Sequence, residues 1–500
     1  MNKSIINLED LKKIRKKYKN KKIILVHGVF DLIHPGHLSY FEEAKSYGDI
    51  LVASLTADKF VKKGFNKPYF QEKERSKFLS HINMVDYVFV NNAISAVPII
   101  KNLKPDFYVK GPDYVKKNGD VAGNLNNEKK ETIKMGGSLV TTTGKLYSST
   151  KLLNLNFKNF NPATEILSSY SDKYKKYLFQ DYFKTLKKIK KDKILIMGEI
   201  IIDDYIVTDP LGKPSKEDIL SVCYSNKRSY HGGVIPVVKN ISQICDNVEM
   251  LTIYNNESLK KRIINNLDTK VKKNFIRVDQ YEDIVKSRYL NRNNNKIFEV
   301  YKMKKKIYDL SKVYKFLIKK LSKYDHVIVC DFGHGLIDNK IIKLLTNKSK
   351  FLSLNIQTNS GNRGFNLFKK FHKSDFLCID EGEMRLGLSD EYSNYLNLVN
   401  NKVLKNFKNI MLTLGTEGHH LKIIRNKHLK FPALNTKALD TIGAGDALFS
   451  FSSCFLKNSK NIDLISFVST IAGAIKANII GHQSNVNINE IEDSLRTLLK

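Results

Sequence analysis

The chain has 500 residues, with 84 Lys and Arg against 50 Asp and Glu, which gives a formal net charge of +34. Its length predicts two domains, and its apolar content of 42% excludes a disordered chain. Lysine greatly outnumbers arginine and is spread along the sequence, whereas base readout and bidentate phosphate capture favour arginine. We therefore attribute most of the charge to a solvated surface, and we do not expect nucleic acid as a partner.

Cysteine spacing and hydropathy predict the cellular compartment of the protein. The five cysteines are scattered without a CxxC pair, which argues against a disulfide framework and against a zinc site. The first residues lack the long apolar stretch of a signal peptide, and apolar runs stay below the ~18 residues of a membrane span. The sequence therefore predicts a cytoplasmic protein with reduced thiols and no membrane partner.

The first diagnostic stretch is HGVFDLIHPGH at His27–His37, directly after an apolar run that predicts a buried parallel strand. Gly28 allows a sharp backbone turn, and Pro35 suits the first turn of a helix. His34 and His37 are three residues apart, so both imidazoles would face one side of the helix N-terminus, where amides and the helix dipole attract phosphate. The pair predicts stabilisation of charge on a phosphoryl group, although two bare histidines would also fit chance or a metal pair.

Strands alternate with helices through the rest of this half, which predicts an α/β Rossmann-like sheet. The pattern predicts a basic helix at 8–18, a helix after His37, a helix beginning at Glu74-Arg75, and strands at 50–55, 85–90, 106–109 and 136–142.

Two polar segments lie where a nucleotide would bind. Lys59, Lys62 and Lys63 follow the second strand, at the edge where open parallel sheets bind ligands. They would either neutralise phosphates or simply form surface charge, and the sequence leaves both readings open. The hydroxyl cluster Ser148–Thr150 precedes an apolar run, where it would cap helix amides and could reach a nucleotide.

The 27–37 stretch resembles the GxFDxxHxGH signature of the cytidylyltransferase-like nucleotidylyltransferases. Residues 20–155 resemble the nucleotidylyltransferase half of the bifunctional ADP-heptose synthases, in segments that include 48–51, 110–114 and 148–150. This resemblance implies that the HxGH histidines bind the triphosphate together with Mg²⁺, and that the hydroxyl cluster closes over the nucleotide. Pro112 stands where the heptose enzymes usually have Gly, which leaves the sugar phosphate open. The predicted nucleotide-binding residues of this half, besides His34 and His37, are Gly28, Phe30, Asp31, Lys63, Arg75, Ser149 and Thr150.

The lysine-rich segment 156–190 predicts one or two amphipathic helices that link a domain at 1–155 to a domain at 191–500. The second domain is expected to open with a strand over 193–205 that ends at Asp203 and Asp204. Residues 286–301 predict a hairpin with an Asn-rich turn.

The second diagnostic segment is DTIGAGD at Asp440–Asp446, before a long apolar helix. Its small residues would let successive amides point at one spot at the helix N-terminus and form an anion hole. Asp446 could then accept the proton of a hydroxyl that attacks a γ-phosphate. The alternative is a tight strand-to-helix turn with a capping Asp.

This segment resembles the ribokinase-like sugar kinases, and the resemblance spans about 191–500, including a small β lid. It implies that Asp446 is the catalytic base and that Glu383 is held near magnesium. The other implied roles are the anion hole for Gly443, Ala444 and Gly445, the nucleotide edge for Thr413, Gly415 and Gly418, and the sugar site and lid for Asp203, Gly232, Gly233, Lys286 and Arg288.

Three positions depart from the kinase pattern. Pro236 replaces an expected Asn, Asn355–Gln357 replaces Asp-Pro-Lys, and Asp380 replaces the Asn of an NxxE motif. All three lie where sugar or metal should bind, whereas the anion hole and base are intact. The pattern therefore favours an active kinase with a changed substrate.

We expect a bifunctional enzyme similar to the ADP-heptose synthases, with the two halves in reversed order. The kinase would phosphorylate a sugar or sugar phosphate with ATP. The first domain would then transfer a nucleotidyl group from ATP or CTP with Mg²⁺, releasing pyrophosphate and making a nucleotide-activated sugar in a homo-oligomeric protein. One alternative is an active nucleotidylyltransferase with a kinase-like domain that only binds a ligand and regulates. A nucleic-acid-binding protein is the non-enzymatic alternative.

Overall fold

The computed structural model describes residues 5–61, 68–112, 124–143, 163–212, 219–293, 295–303, 307–424, 427–434 and 438–499. The chain divides into two compact units, Met1–Ser168 and Ser169–Lys500. Among the described residues, no helix combines the length and apolar character needed to cross a membrane. The five cysteines are free thiols, as predicted.

Strands and helices alternate along the first unit. They are β1 (Ile5–Ile6), α1 (Leu8–Lys17), β2 (Ile23–Gly28), α2 (Pro35–Ser46), β3 (Ile50–Thr56), α3 (Glu72–Ser80), β4 (Tyr87–Asn91), α4 (Val97–Leu103), β5 (Phe107–Lys110), α5 (Leu125–Lys134), β6 (Ser138–Thr141) and, across the boundary, α6 (Thr164–Ser169).

The described residues of the first unit form a six-stranded sheet in the order β1-β4-β3-β2-β5-β6, and its strands pair in parallel. Strand β2 lies inside the sheet and is buried on both faces. Ile23 and Leu25 pack into one core cluster, and Ile24 and Val26 into another. A central parallel strand covered on both sides needs such a continuous apolar run. The predicted α/β class and Rossmann-like sheet are therefore confirmed.

The second unit is also α/β. Its elements are α7 (Asp172–Ile189), β7 (Lys193–Gly198), β8 (Ile200–Gly212), β9 (Ser221–Gly233), α8 (Val234–Ser242), β10 (Asn247–Tyr254), α9 (Glu257–Asn266), β11 (Lys272–Arg277), β12 (Ile284–Leu290), β13 (Lys296–Lys302), α10 (Ser311–Lys320), β14 (His326–Asp331), α11 (Asn339–Lys348), β15 (Leu352–Ile356), β16 (Ser374–Asp380), α12 (Glu381–Leu388), α13 (Tyr395–Val399), β17 (Phe407–Thr413), β18 (His419–Ile423), β19 (Lys427–Phe431), α14 (Ala444–Asn458), α15 (Ile462–Ala477) and α16 (Ile488–Leu498).

The described residues of this unit form two sheets. The larger has nine strands in the order β11-β10-β7-β14-β15-β16-β17-β18-β19, which pair in parallel up to β17 and antiparallel from there on. The smaller has the order β13-β12-β8-β9 and includes the predicted hairpin as β12 and β13. This small sheet is the lid that the resemblance implied.

The prediction of one strand over 193–205 is wrong. The chain forms β7 in the large sheet, leaves it after Gly198, and enters the lid as β8. Gly198 packs so closely on β14 that a Cβ there would lie 2.5 Å from the carbonyl oxygen of Cys330. Glu199 is fully buried between the strands and accepts hydrogen bonds from the amides of Phe332, His334 and Leu336. Asp203 and Asp204 therefore lie within a lid strand and not at a strand end.

Helix α7 packs within the second unit. Its Tyr182 ring is fully buried and stacks on Phe455, with ring centroids 5.7 Å apart. The hydroxyls of Tyr170 and Tyr174 donate hydrogen bonds to the two carboxylate oxygens of Asp463, at 2.5 and 2.6 Å. Residues in the segment 156–190 thus contribute side chains to the core of the second unit.

Candidate functional site

The turn between β2 and α2 of the first unit carries His34 and His37, and we call it the histidine turn. His34 is the extended residue before Pro35, at φ −144°, and the amide of His37 donates to the His34 carbonyl at 2.8 Å. The two imidazoles stack with centroids 4.0 Å apart and an angle of 27° between planes. Both side chains therefore lie on one side of the helix N-terminus, in the arrangement that the spacing predicts.

Phe30 packs against this turn. Its backbone has φ +50°, in the left-handed region that side-chain-bearing residues rarely adopt, and its ring is buried. The ring meets His37 edge-on at 5.6 Å between centroids. A Cβ on Gly28 would approach the Phe30 ring to 3.2 Å, so glycine leaves room for it. Gly28 and Phe30 thus set the position of the histidines.

Arg75 and Asp31 support the turn and are not open to a ligand. Arg75 is fully buried, and its guanidinium donates to the carbonyls of Val29, Phe70 and Thr56 and to the carboxylate of Asp58. Asp31 is also buried and accepts from the amides of Tyr69 and Phe70. These bonds tie the ends of β2 and β3 to the start of α3. Arg75 therefore acts as a structural clamp of the turn, and its contact with a nucleotide stays a prediction.

Three further nucleotide-binding predictions, Lys63, Ser149 and Thr150, lie outside the described residues and stay predictions. One polar residue that the sequence analysis did not single out for a role is His27. Burial and the nearby Lys110 lower the pKa of His27 to about 3. Its neutral imidazole lies 3.0 Å from the Ser54 hydroxyl and 3.4 Å from the Thr56 hydroxyl.

The second unit contains a cleft of about 230 Å³ between the lid, the large sheet and the head of α14. It brings together seven of the predicted residues, although they are up to 243 positions apart in the chain. These are Asp203, Gly233, Lys286, Arg288, Gly443, Gly445 and Asp446. Residues without a predicted role also line it, namely Ile201, Phe332, Gln357, Ile442 and His482.

The turn before α14 is held firmly in place. Gly443 has φ +79°, which favours glycine, and caps the helix. Asp440 accepts hydrogen bonds from the amides of Ile442 and Gly481, at 3.1 and 2.8 Å. The buried ammonium of Lys476 donates to the carbonyls of Ile442 and Gly481, at 2.9 and 2.5 Å. The first amides of a helix have no intrahelical acceptor, so this fixed end provides the predicted anion-binding geometry.

Asp446 lies in the first turn of α14 and faces the cleft. Burial raises the pKa of this carboxyl, while His482 and Gln357 lower it. The Gln357 amide donates to Asp446 at 2.8 Å and to Asn355 at 2.9 Å. The departure from Asp-Pro-Lys therefore places a neutral hydrogen-bond donor directly on the predicted base. A carboxylate of raised basicity is a better proton acceptor.

Asp203 is clamped from several sides. One carboxylate oxygen binds Arg288, and the other lies 3.4 Å from Nε2 of His482. Burial would raise the pKa of Asp203, but His482 and Arg288 bring it below the usual value. A Cβ on Gly232 would lie 2.1 Å from this carboxylate, so an added methyl group would displace it. Arg288 also binds Glu299 at 3.1 Å, so its guanidinium is largely committed to the lid.

Lys286 is the other cationic lid residue of the cleft. Its ammonium lies 5.4 Å from the centroid of the Tyr301 ring. Burial lowers the pKa of this amine. A half-buried lysine ammonium that has no fixed carboxylate partner can bind an anionic group.

Glu383, to which the resemblance gives a place near magnesium, is held by backbone amides. Its carboxylate accepts the amides of Thr358 and Asp380, at 2.7 and 3.3 Å, as part of a capping box at the start of α12. Burial raises its pKa to about 7. Among the described residues, His, Cys, Asp and Glu side chains do not gather in groups of three that could hold a metal ion. A place near magnesium for Glu383 therefore stays a prediction.

The predicted nucleotide edge lies apart from the cleft lining. Thr413 ends β17, and Gly415 and Gly418 form the turn to β18, with φ +58° and +95°. A Cβ on Gly418 would lie 2.0 Å from the carbonyl oxygen of Phe431, which explains the glycine structurally. Pro236 lies in the first turn of α8, where a proline is tolerated.

Known proteins resemble the chain in two separate parts. The cytidylyltransferase-like family matches residues 25–155, which confirms the resemblance found for this part of the chain. The bifunctional protein HldE of Helicobacter pylori (strain P12) is 42% identical over 109 residues, and HldE of Aliarcobacter butzleri (strain RM4018) is 40% identical over 126 residues. These alignments cover 21% and 24% of this chain and 24% and 26% of the relatives. The chain thus spans about a quarter of the length of the curated relatives that it matches.

Among solved structures, a ribokinase from Thermotoga maritima is 18% identical and covers 61% of this chain and 99% of its own, with a TM-score of 0.47. A ribokinase from Arabidopsis thaliana, complexed with ribose and ATP, is 14% identical and covers 62% and 99%, also with a TM-score of 0.47.

Proposed function

We propose that the first unit is a nucleotidylyltransferase that acts on a sugar phosphate. The observation that carries this proposal is the stacked pair His34 and His37 at the head of α2. It lies within the part that matches the cytidylyltransferase-like family. The nucleotidyl donor is ATP or CTP.

In this reaction an oxygen of the sugar phosphate attacks the α-phosphorus of the donor. A bond forms between that oxygen and phosphorus, the bond to the bridging oxygen breaks, and pyrophosphate leaves. The imidazoles of His34 and His37 stabilise the charge that develops on the phosphates, together with the amides of the helix N-terminus. Mg²⁺, when bound, would neutralise part of the triphosphate charge.

We further propose that the second unit transfers the γ-phosphoryl group of ATP to a hydroxyl of a sugar or sugar phosphate. The cleft supports this because it brings together the N-terminus of α14, the carboxyl of Asp446 and the carboxylate of Asp203. Asp446 accepts the proton of the attacking hydroxyl, the amides of Gly443, Ala444 and Gly445 receive the phosphate, and Asp203 accepts hydrogen bonds from the acceptor's hydroxyls. The product is then the acceptor for the first unit.

A paired experiment tests both halves in the full-length chain. The chain is incubated with Mg²⁺, ATP or CTP, and a panel of pentoses, hexoses and heptoses with their monophosphates, while pyrophosphate and ADP are measured separately. We expect His37→Ala to abolish pyrophosphate release and to leave sugar-dependent ADP formation. Asp446→Asn should do the reverse.

A histidine control makes the first result specific. His81 is exposed at the end of α3, away from the histidine turn, so His81→Ala should release pyrophosphate at the wild-type rate. Pyrophosphate release that persists unchanged in His37→Ala would refute the nucleotidylyltransferase proposal.

A second candidate function is favoured by Gln357 on Asp446 and by the amide-bound Glu383. In this alternative the second unit binds a nucleotide or sugar and regulates the first without phosphorylating it. It predicts that no acceptor of the panel supports ADP formation, while a panel compound bound in the cleft changes the rate of pyrophosphate release. Loss of sugar-dependent ADP formation in Asp446→Asn would exclude this alternative.

A further inference from the structure

His482 lies in the cleft of the second unit and bridges its two halves. Its side chain is 7% exposed, and Nε2 lies 3.4 Å from a carboxylate oxygen of Asp203. The other edge of the ring faces the anion-binding turn. Its Cε1 and Nδ1 atoms lie 2.8 and 3.4 Å from the place where a Cβ of residue 443 would be. The imidazole thus fills the space that Gly443 leaves.

The fold ties His482 to the same segment that fixes the turn. The residue follows α15 and comes directly after Gly481, which has φ +50°. The Gly481 amide donates to Asp440 at 2.8 Å, and the Gly481 carbonyl accepts from Lys476 at 2.5 Å. Asp440 and Lys476 also bind Ile442 at the turn. Movement of His482 is therefore coupled to movement of the anion-binding turn.

The burial and the charged neighbours of Asp203 indicate the role of His482. Asp203 is buried in the lid, where a carboxylate needs charged or hydrogen-bonding partners to stay ionised. Arg288 binds one oxygen and His482 approaches the other. The pair holds both oxygens in fixed directions, so hydroxyls of an acceptor meet an ionised and immobile carboxylate.

We infer that His482 is a positioning residue of the kinase site, which fixes the carboxylate of Asp203 against the anion-binding turn at Gly443. Through this contact it sets the distance between the bound acceptor and the phosphoryl group that is transferred. The inference rests on the proposed kinase function. His482 itself takes no proton from the acceptor, because Asp446 has that role.

The inference predicts an effect on the acceptor more than on ATP. Without the imidazole, one oxygen of Asp203 loses its partner and the carboxylate can rotate away from the acceptor. Removing the partner of a buried charged group corresponds to a factor of about 10 to 100 in an equilibrium constant. We therefore expect His482→Ala to raise the acceptor KM by about 10- to 100-fold, with a smaller loss of kcat and an unchanged KM for ATP.

Two amide variants separate this role from simple packing. The side-chain nitrogen of Gln reaches the position of Nε2. The Asn side chain is shorter, so its nitrogen reaches only the position of Nδ1. His482→Gln should restore most of the acceptor KM, and His482→Asn should not. His428→Gln, in a half-buried histidine of β19 away from the cleft lining, is the matched control and should behave as wild type.

The measurement is ADP formation by the full-length chain with the panel compound that gives the fastest turnover. An unchanged acceptor KM in His482→Ala, or equal rescue by Gln and Asn, would overturn the inference while the kinase function stands. If His482→Ala does not fold, the comparison of His482→Gln with His482→Asn decides the question alone. If the wild-type chain forms no ADP with any acceptor, the kinase function fails and the inference fails with it.

Discussion

The two candidate sites use the same element and are built differently. Each places the N-terminus of a helix where a phosphate can bind, α2 in the first unit and α14 in the second. The histidine turn comes from one stretch of eleven residues, His27–His37, with Arg75 as its clamp. The cleft of the second unit gathers residues from Ile201 to His482.

This difference predicts different responses to substitution. The first site depends on a buried clamp, so its loss should appear as unfolding of the first unit. The second depends on relative positions of side chains from separate elements, so small steric changes should appear in the kinetics while the unit stays folded. The following predictions test this contrast, from the largest expected effect to the smallest.

Arg75→Met should destabilise the first unit by about 3–5 kcal/mol, because it leaves buried carbonyls and the Asp58 carboxylate without their donor. Thermal or urea unfolding measures the effect, with proteolysis as the readout that tells which unit has unfolded. Lys77→Met, on an exposed position of the same helix, should leave the stability nearly unchanged. A folded Arg75→Met unit that has lost only nucleotide affinity would instead support a direct binding role for Arg75.

Gly232→Ala should lower acceptor use in the proposed kinase reaction about 100-fold, because its Cβ would displace the Asp203 carboxylate and a displacement near 1 Å can cost that much. The acceptor kcat/KM measures the effect, and the melting temperature of the second unit should change little. Gly473→Ala, where an added Cβ meets only ordinary contacts beyond 3.4 Å, is the control. Wild-type kinetics in Gly232→Ala would show that Asp203 does not bind the acceptor.

Glu199→Gln should change how the stability of the second unit depends on pH. Burial and the nearby Asp331 raise the pKa of Glu199 from 4.5 to about 7. The folded state therefore holds the proton of Glu199 more tightly than the unfolded state does. This proton binding contributes up to about 3 kcal/mol to the free energy of unfolding, fully present below pH 4.5 and lost as pH rises through 7.

In Glu199→Gln this part of the pH dependence should disappear, as measured by urea unfolding between pH 5 and 8. Glu391→Gln, at an exposed position, should keep the wild-type profile. Identical profiles for Glu199→Gln and wild type would contradict the predicted proton binding.

Tyr174→Phe should destabilise the second unit by about 1–2 kcal/mol, because it removes a hydrogen bond of 2.6 Å to the Asp463 carboxylate. The first unit should keep its stability, which tests whether the segment before residue 190 belongs to the second unit. Tyr177→Phe, at a half-exposed ring, is the control. A loss of stability in the first unit would place this segment with it instead.

The histidine turn could be predicted in detail because its geometry depends on local rules. A strand, a glycine, a proline at the first helical position and a three-residue spacing determine where His34 and His37 lie. The α/β class follows from alternating patterns of the same kind. The clamp role of Arg75 could not be predicted, because its four partners come from three separate segments.

The sequence by itself determined the chemical character of both sites, since HxGH and DTIGAGD specify a helix N-terminus with a histidine pair in one and a carboxylate in the other. Only the tertiary structure decided which other side chains reach them. The break at Glu199, which turns the expected single strand into β7 and β8, places Asp203 in the lid opposite Gly443. His482 meets Asp203 because a chain reversal after α15 brings the two together from 279 residues apart, a contact that no local pattern encodes.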